Sequence, residues 1–545
     1  MKKSVILAVI LLFPLCIEAQ QEENNHSAVS RNLEIFNDIY KQLDLYYVDS
    51  LSADTVIGWG ISSMLHRVDP FTDYYPANDE ELRQMATGKY AGIGSVIRLH
   101  KKEDRAMIVE PYEGTPSDKV GLRAGDIIMT IDGKDVKGMS TSSVSNMLRG
   151  EAGTTFELRV KRGPEGKILP FKITRQTIQM PQVPYYGIVR PGVGYIYLTG
   201  FTDGACREVR QALMDLKGQG ATSLVLDLRE NPGGALSEAV DITNLFVPKG
   251  KKVVFTKGKL ASVNREYYTA SEPVDTVMPV VVMVDGGTAS SAEIVSGSLQ
   301  DMDRAVILGS RTYGKGLVQM IREVPYRGNL KITTSRYYIP SGRCIQAHDY
   351  KHDGTESVVP DSLRKLFHTE GGRDVYDGGG ITPDIEVKPD SLPAMIYDLV
   401  ASDAFFDFAT KYASEHKSIA PAGQVALTDE EYADFVKSIT ESDFTYNKRS
   451  EDVFKLLTDV ARREGYMDSA KAEFEALEAK LKTNDLKSDL ERFRKDIEPY
   501  IADELVHRYY YQKGGVQQQL VKDPCMDRAL ELLSQPEEYS KILKP

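Results

Sequence analysis

The chain is short of cysteine, with 4 in 545 residues. Cys16 lies in an N-terminal apolar stretch, and Cys206, Cys344 and Cys525 are far apart. Three scattered thiols make no legible disulfide framework, and no cysteine–histidine spacing suggests a metal site. Long apolar runs are also missing. No run reaches the roughly 18 residues that a membrane-spanning helix needs, so no transmembrane segment is expected. Positive charge is in deficit, because 67 Lys and Arg face 79 Asp and Glu, a formal net charge of -12. That balance argues against a nucleic-acid partner and favours solubility. The remaining composition, 41% apolar and 27% charged, is that of an ordinary globular protein. The length implies about three or four domains.

Residues 1–20 read as a signal peptide. Lys2-Lys3 is a basic start, Val5 to Ile17 is apolar but too short to span a bilayer, and Ala19 precedes polar Gln20 to Asn25. Leu15 stands where a lipobox needs a small residue, so lipidation at Cys16 is not expected. The expected location is exported and periplasmic.

The rest of the chain is organised around Pro279 to Gln319. Val280 to Val284 reads as a strand buried on both faces. The turn Asp285-Gly286-Gly287 and the small residues Thr288 to Ala292 lead into a helix from about Ser291 to Met302. A second strand, Ala305 to Leu308, ends in Tyr313-Gly314-Lys315-Gly316. A serine thus stands at a helix N-terminus, and a glycine-flanked lysine follows 25 residues on. A serine hydroxyl needs a base to become a nucleophile. Lysine can serve only if an apolar site brings its pKa down from about 10.4. The helix start would aim N–H groups and its positive dipole end at an oxyanion. Gln319, placed on the same strand face as Lys315, could orient the ammonium nitrogen. The plainer reading is that Ser290-x-x-Glu293 is a capping box and Lys315 a solvated charge.

Around this stretch the pattern divides the chain. Residues 27–85 are helical, with Leu33, Phe36, Ile39, Leu43, Tyr46, Val56, Ile57 and Met64 at helix spacing, closing at Asp69-Pro70. Residues 86–178 are β-rich. Ala91-Gly92-Ile93-Gly94 leads into a strand from Ser95 to Leu99, with further strands at Ile127 to Ile131 and Thr155 to Lys161 and a helix from Ser140 to Leu148. Residues 179–390 alternate strand and helix, an α/β pattern, and include Asp227-Leu-Arg-Glu-Asn-Pro-Gly233-Gly234 at a strand–helix junction. Residues 391–545 are charged and helix-patterned, with Phe405, Phe406 and Phe408, Val453 to Leu457 and Phe474 to Leu481, but no chemical constellation.

Gly287-Thr-Ala-Ser290-Ser-Ala-Glu-Ile294, Leu299-Gln-Asp301 and Tyr313-Gly-Lys315-Gly-x-x-Gln319 resemble the C-terminal processing peptidases. These are the serine–lysine peptidases of the tail-specific protease family, peptidase family S41. The resemblance covers roughly residues 30 to 390 and implies roles residue by residue. Ser290 would be the nucleophile, Lys315 the general base and Gln319 the third member. The family usually reads S-A-S-A-S-E where this chain has T-A-S-S-A-E, so Ser291 stands beside the expected nucleophile. Asp301 falls where some members have an aspartate and is read as accessory. Gly233 or Gly234 would supply one oxyanion N–H and Ser291 the other.

The implied architecture is multidomain α/β and α+β. It has a ClpP/crotonase-like peptidase core, an inserted PDZ domain and helical segments at both ends. Residues 86–178 resemble a PDZ domain, whose Ala91, Gly92, Ile93 and Gly94 would hold a peptide's terminal carboxylate while the next strand pairs with the peptide. Ile93 and Leu148 would line a pocket for the last side chain. Cys344 stands where the family commonly has serine.

The implied function is an exported serine endopeptidase acting on proteins or peptides with free C-termini, without cofactor or metal. The C-terminal extension is a candidate homodimer surface. A serine–histidine pairing with His348 or His352 is a minor alternative. The rival from another class is a non-catalytic PDZ adaptor that only binds peptides.

Overall fold

A computed structural model describes residues 27–77, 79–163, 165–350, 355–388, 392–446, 448–482 and 485–544. The expected signal peptide with Cys16, and also His352, lie outside the described residues. The chain divides into two units, Met1–Ala77 with Gln319–Thr333 and Tyr350–Thr355, and the remainder.

The smaller unit begins with helices at 27–46 and Ala53–His66. Asp69 then turns the chain. Its Oδ1 accepts from Phe71 N at 2.8 Å and Thr72 N at 2.7 Å, and its Oδ2 accepts from Thr72 Oγ1 at 3.1 Å. The strand Asp73–Tyr75 follows, antiparallel to residues 329–331. The helices form as their spacing predicts, yet Leu33, Phe36, Ile39, Tyr46 and Met64 are exposed in the single chain.

Among the described residues the larger unit holds three packed regions, the first with a buried cluster on each face of its sheet. The first surrounds a six-stranded sheet ordered Tyr185–Arg190, Val193–Tyr197, Ser223–Asp227, Val280–Val284, Val306–Gly309 and Ile385–Glu386. Only the first pair is antiparallel. A parallel sheet must be covered on both faces, which is why its central strands are unbroken apolar runs. Alternate residues divide accordingly. Leu224, Leu226, Val280, Val282, Val284 and Ile307 pack on one face with the helices Ala205–Gly218, Leu236–Asn244 and Ser291–Asp301. Val225, Val281, Met283, Val306 and Leu308 face Val516, Met526, Ala529, Leu530, Leu532 and Tyr539 from the end of the chain.

The C-terminal extension therefore does what its sequence leaves unassigned. Its helices Pro524–Leu533 and Pro536–Leu543 are the second cover of the six-stranded sheet. The Tyr539 hydroxyl accepts from Val280 N at 2.9 Å and donates to Val280 O at 3.0 Å. The earlier part of the extension builds its own core. Phe405 stacks on Phe435 and on Tyr500, each at 5.6 Å.

The third core is the β-rich segment, a sheet ordered Ser95–His100, Arg105–Pro111, Ile127–Ile131, Thr155–Arg162 and Lys167–Thr174. The helix Thr141–Leu148 closes it, capped by Ser140, whose Oγ accepts from Ser143 N at 3.2 Å. Alternating Phe156, Leu158 and Val160 point into this core with Ile128, Val144 and Leu148.

Candidate active site

Three neighbouring parallel strands, Ser223–Asp227, Val280–Val284 and Val306–Gly309, each open into a loop at the carboxyl end. Open α/β sheets bind ligands at that edge. The loops carry Arg229 to Gly234, Asp285 to Ser290 and Ser310 to Gly316. They are laced together by Ala289 N donating to Asn231 O at 2.9 Å, Thr288 Oγ1 to Leu228 O at 2.8 Å and Tyr313 N to Thr288 O at 3.0 Å.

Ser290 stands at the start of the helix Ser291–Asp301 with φ 54° and ψ -116°. A non-glycine residue in such a region carries roughly 1–3 kcal/mol of strain and persists only where its surroundings hold it. Glu293 does much of the holding. Its carboxylate is fully buried and accepts four hydrogen bonds. Oε2 takes Ser290 N at 2.8 Å and Lys315 N at 2.9 Å, while Oε1 takes Thr312 Oγ1 at 2.5 Å and Gly314 N at 2.7 Å. Burial pushes the Glu293 carboxyl up to about 7, against the pull of these donors. One side chain thus joins the serine loop to the lysine loop. Tyr337 adds a second tie, its hydroxyl donating to Ser290 O at 3.1 Å and its N–H to Gly316 O at 2.9 Å.

The two adjacent serines differ. Ser290 is half-buried, whereas Ser291 is buried and its Oγ donates to Gly234 O at 2.9 Å. Lys315 is half-buried between two buried glycines, Gly314 and Gly316. It lies in the loop before the strand Leu317–Val324, so the expected shared strand face with Gln319 is not formed. Gln319 belongs to the smaller unit, where its Nε2 donates to Thr333 Oγ1 at 3.1 Å.

Gly233 has φ 94°, and a Cβ there would stand 2.8 Å from Ala289 O, from Ser290 Cβ and from Ser291 N. Glycine is what lets this loop lie against the serine backbone. The Gly233 N–H is already engaged, donating to Asn231 Oδ1 at 2.9 Å, and Asn231 Nδ2 in turn donates to Leu198 O at 2.7 Å. Among the described residues no acceptor faces the Gly234 or Ser291 N–H. The three expected oxyanion donors are therefore not equivalent in this structure.

Asp301 ends the helix that Ser291 begins, about 15 Å of helical rise away. Its carboxylate pairs with Arg343 at 2.8 Å and accepts from Ser341 N at 3.0 Å. Burial raises it against the pull of Arg343. It anchors the far end of the helix. His348 stacks on Tyr313 at 4.7 Å, its Nε2 donates to Tyr313 O at 2.9 Å, and its Nδ1 lies against Glu356. Both ring nitrogens are engaged, which gives the serine–histidine alternative no support. No group of three or more metal-ligating side chains occurs among the described residues.

Arg229, given no role by the sequence, starts the glycine loop. It donates from Nη2 to Asp227 Oδ2 and to Asp523 Oδ2, each at 2.6 Å. Burial works to lower its pKa, and the two carboxylates outweigh that. Asp523 also caps the helix Pro524–Leu533, accepting from Cys525 N at 2.9 Å. The end of the chain is thereby tied to the loop beside Ser290. The partners are 294 residues apart, so no local signal could have linked them.

In the β-rich segment, Ala91 and Gly92 finish the strand Lys89–Gly92, paired with Gln176–Gln179. The carbonyls of the next two residues point inward. Gly94 O accepts from Ser117 Oγ at 2.6 Å, Thr115 Oγ1 at 2.9 Å and Tyr112 N at 2.9 Å, and Ile93 O accepts from Ser117 N at 2.9 Å. The N–H groups of Ile93 and Gly94 have no acceptor among the described residues. Ile93 and Leu148 are both buried in this core.

A serine at the mouth of an α/β sheet, a lysine loop clamped to it and an attached β-rich domain define a candidate serine peptidase with an accessory module. Comparison with known proteins agrees. The model of peptidase family S41 matches residues 192–361, that of a PDZ domain 107–162, and that of a probable PDZ-protease C-terminal helical domain 395–533. A carboxy-terminal-processing protease of Bartonella bacilliformis is 34% identical over 347 residues, 63% of this chain and 79% of that protein. A probable CtpA-like serine protease of Staphylococcus aureus is 29% identical over 464 residues, 84% of this chain and 91% of its own. Among solved structures, a photosystem II D1 C-terminal processing protease is 28% identical with a TM-score of 0.36, covering 66% of this chain and 88% of that one. The chain belongs to peptidase family S41, the carboxy-terminal-processing serine proteases, and carries a PDZ domain.

Proposed function

We propose that this protein is an exported endopeptidase that cleaves proteins near their C-termini, with Ser290 as nucleophile and Lys315 as base. Neutral Lys315 takes the Ser290 proton as Oγ attacks the scissile carbonyl. The resulting oxyanion is met by N–H groups of Ser291 and of the Gly233–Gly234 loop. Collapse breaks the peptide bond, the leaving amine takes the proton from Lys315, and an acyl-enzyme remains on Ser290. Water then attacks the acyl carbonyl as it gives a proton to Lys315, and the ester bond breaks as Lys315 returns that proton to Ser290 Oγ, releasing the second product as an acid. Gln319 is assigned to orienting Lys315, and the PDZ loop Ala91–Gly94 to capturing the substrate's terminal carboxylate. Residues 1–20 are assigned to a cleaved leader that takes the chain to the periplasm, 27–85 to a scaffold, 86–178 to the PDZ domain, 179–390 to the peptidase and 391–545 to the helical extension.

The observation that carries this reading is the Glu293 carboxylate, which receives Ser290 N–H and Lys315 N–H on one oxygen. A peptide-binding adaptor needs no buried acid to register a serine loop against a lysine loop. The test is cleavage of a peptide substrate, with fluorophosphonate labelling of the serine. Ser290→Ala and Lys315→Ala are expected each to lower kcat/KM on the order of 10⁴-fold, because nucleophile and base act as one unit. Labelling should fall on Ser290. Activity surviving both substitutions would leave the adaptor reading in its place, and a label on Ser291 would move the nucleophile by one residue.

A further inference from the structure

The strands Lys252–Gly258 and Gly328–Tyr338 run antiparallel, with Phe255 opposite Tyr338, Thr256 opposite Tyr337 and Lys257 opposite Arg336. Side chains alternate across a strand. Thr256, Ser335 and Tyr337 are buried on one face, where the Tyr337 hydroxyl meets Ser290 O. Phe255, Lys257, Arg336 and Tyr338 therefore stand on the other face, with Lys257 and Arg336 exposed. The Phe255 and Tyr338 rings stack at 5.1 Å, 12° from parallel. The Lys257 ammonium is held against both, 5.2 Å from the Phe255 centroid and 5.1 Å from that of Tyr338. A second ammonium, that of Lys252, lies 5.4 Å from the Phe255 centroid.

Several strand cations of the larger unit come with a carboxylate. Arg159 pairs with Glu157 and Lys161 with Glu103, each at 2.7 Å, and Lys252 pairs with Glu266 at 2.9 Å. Lys257 and Arg336 are different, because no carboxylate among the described residues pairs with either. Like charges directly opposite each other on neighbouring strands destabilise a sheet. This sheet keeps such a pair on an exposed face, in a chain whose formal net charge is -12. An anionic partner turns that repulsion into attraction. The rings help, since an ammonium already held on aromatic faces loses less freedom on pairing than a free lysine does. Lys252, Lys257 and Arg336 are fewer cations than the roughly 4–8 that mark a surface for anionic lipid. The face suits a narrow anionic partner.

We propose that this face is an exosite for an acidic, extended segment of a protein substrate, whose Asp or Glu carboxylates pair with Lys257 and Arg336 beside the Phe255–Tyr338 platform. An extended chain shows every second side chain to the same side, roughly 6.5–7 Å apart, so alternate carboxylates follow the sheet. The face looks away from Ser290, so the docked segment is a different part of the substrate from the part that is cut. Docking raises the local concentration of the rest of that chain. As a substrate site the exosite rests on the endopeptidase reading, and as a binding site it does not.

Binding is read on the full chain with Ser290→Ala, by fluorescence anisotropy of a labelled peptide with alternating glutamates and a C-terminal amide, which keeps the PDZ loop out of the measurement. The same peptide with glutamine at those positions is the control. The glutamate peptide should bind more tightly, and less so as salt is added. Lys257→Gln together with Arg336→Gln should weaken it roughly tenfold, the scale of a hydrogen bond between charged groups, and leave the control unchanged. Arg336→Lys alone should keep most of the affinity. Equal binding of the two peptides by the parent, or an unchanged preference in the double variant, would overturn the proposal. So would anionic-lipid vesicles held through Lys257 and Arg336 while the glutamate peptide is not. Cleavage is then followed with Ser290 restored, on one substrate with and without the glutamate segment upstream. The double substitution should raise KM roughly tenfold for the extended substrate and leave the other unchanged. An unchanged KM for both would overturn the exosite. Cleavage of neither substrate by the unsubstituted chain, with peptide binding intact, would instead remove the endopeptidase reading and leave the docking face standing.

Discussion

Two glycine loops of the larger unit are assigned to meeting an oxygen anion, and they are built on different terms. At Gly233 the space for a side chain is taken by backbone, Ala289 O and Ser291 N, and by Ser290 Cβ, all at 2.8 Å. At Gly92 it is taken by the Tyr90 ring at 2.9 Å, with the Arg149 stem in ordinary contact at 3.7 Å. Backbone laced by hydrogen bonds between three loops cannot step aside, whereas a ring edge and a long aliphatic stem can. The loop assigned to chemistry is thus rigid by its surroundings, and the loop assigned to recognition has neighbours able to adapt. That matches their tasks. Transition-state stabilisation needs donors fixed in advance, and a peptide-end site must accept many sequences.

The sharpest way to break the comparison is to add one methyl group to each loop. Gly233→Ala keeps its own N–H but must push the loop off Ala289 and Ser290, misplacing the Gly234 N–H, and is expected to lower kcat/KM for peptide cleavage by roughly 10²–10³-fold, the scale of losing an oxyanion donor. It adds strain as well, because φ is 94°. Binding of a C-terminal peptide to the PDZ domain of that variant should stay unchanged, since the two loops share no described contact. Near-normal cleavage by Gly233→Ala would mean that the loop is softer than its backbone neighbours imply.

The next effect concerns what holds the rigid loop. Ionised Glu293 can accept all four of its hydrogen bonds, whereas the protonated acid has one oxygen converted to a donor and must release some of them. With its pKa pushed up to about 7, the acid is protonated below that pH and ionised above it. Cleavage should therefore decline as pH falls through about 7, in addition to any decline from protonating Lys315. Glu293→Gln keeps the shape but places an N–H₂ group where two donors already point. It is expected to reduce kcat by about 10–100-fold with little change in KM, since a buried network left partly unsatisfied loses roughly 1–3 kcal/mol per group. The pH limb near 7 should disappear with the carboxylate. A variant that kept both the limb and the rate would show that Glu293 only caps its helix.

How much of this was readable in the residues follows from distance along the chain. The apolar runs from Ser223 and from Val280 announce buried parallel strands, and the spacing Ser290-x-x-Glu293 announces a helix start. The rest of the Glu293 environment comes from Thr312, Gly314 and Lys315, 19 to 22 residues later, where no periodicity reaches. Nothing in the residues around Asn231 signals its task, and only the fold shows its side chain occupying the Gly233 N–H. The extension beyond residue 391 had a helix pattern and nothing to say what it covered. Its partner surface is the other face of a sheet whose strands read as apolar on both sides, and a strand cannot name the helix that will cover it. The helices at 27–46 and Ala53–His66 show the converse, because their apolar stripe predicted helix correctly but finds little cover within the single chain.

The smallest expected effect is at the recognition loop, and it grades with charge rather than size. Gly92→Ala asks only the Tyr90 ring edge, 2.9 Å from the new Cβ, to give way. A few-fold rise in KM for a protein substrate is expected, with kcat nearly unchanged, because capture at this loop raises the local concentration of substrate without touching the acyl-transfer step. Gly92→Asp adds a negative charge beside the loop that is to hold a carboxylate. A like charge a few ångströms away in a half-buried site is worth about 1–2 kcal/mol, so the rise should reach roughly tenfold and shrink as salt is added. Asp is also bulkier than Ala, so Gly92→Asn, which matches its shape without the charge, is the control, and the difference between Asn and Asp reports charge. If Ala and Asp raised KM equally, and salt changed neither, the loop would be acting through its shape, and the carboxylate would have to be bound elsewhere.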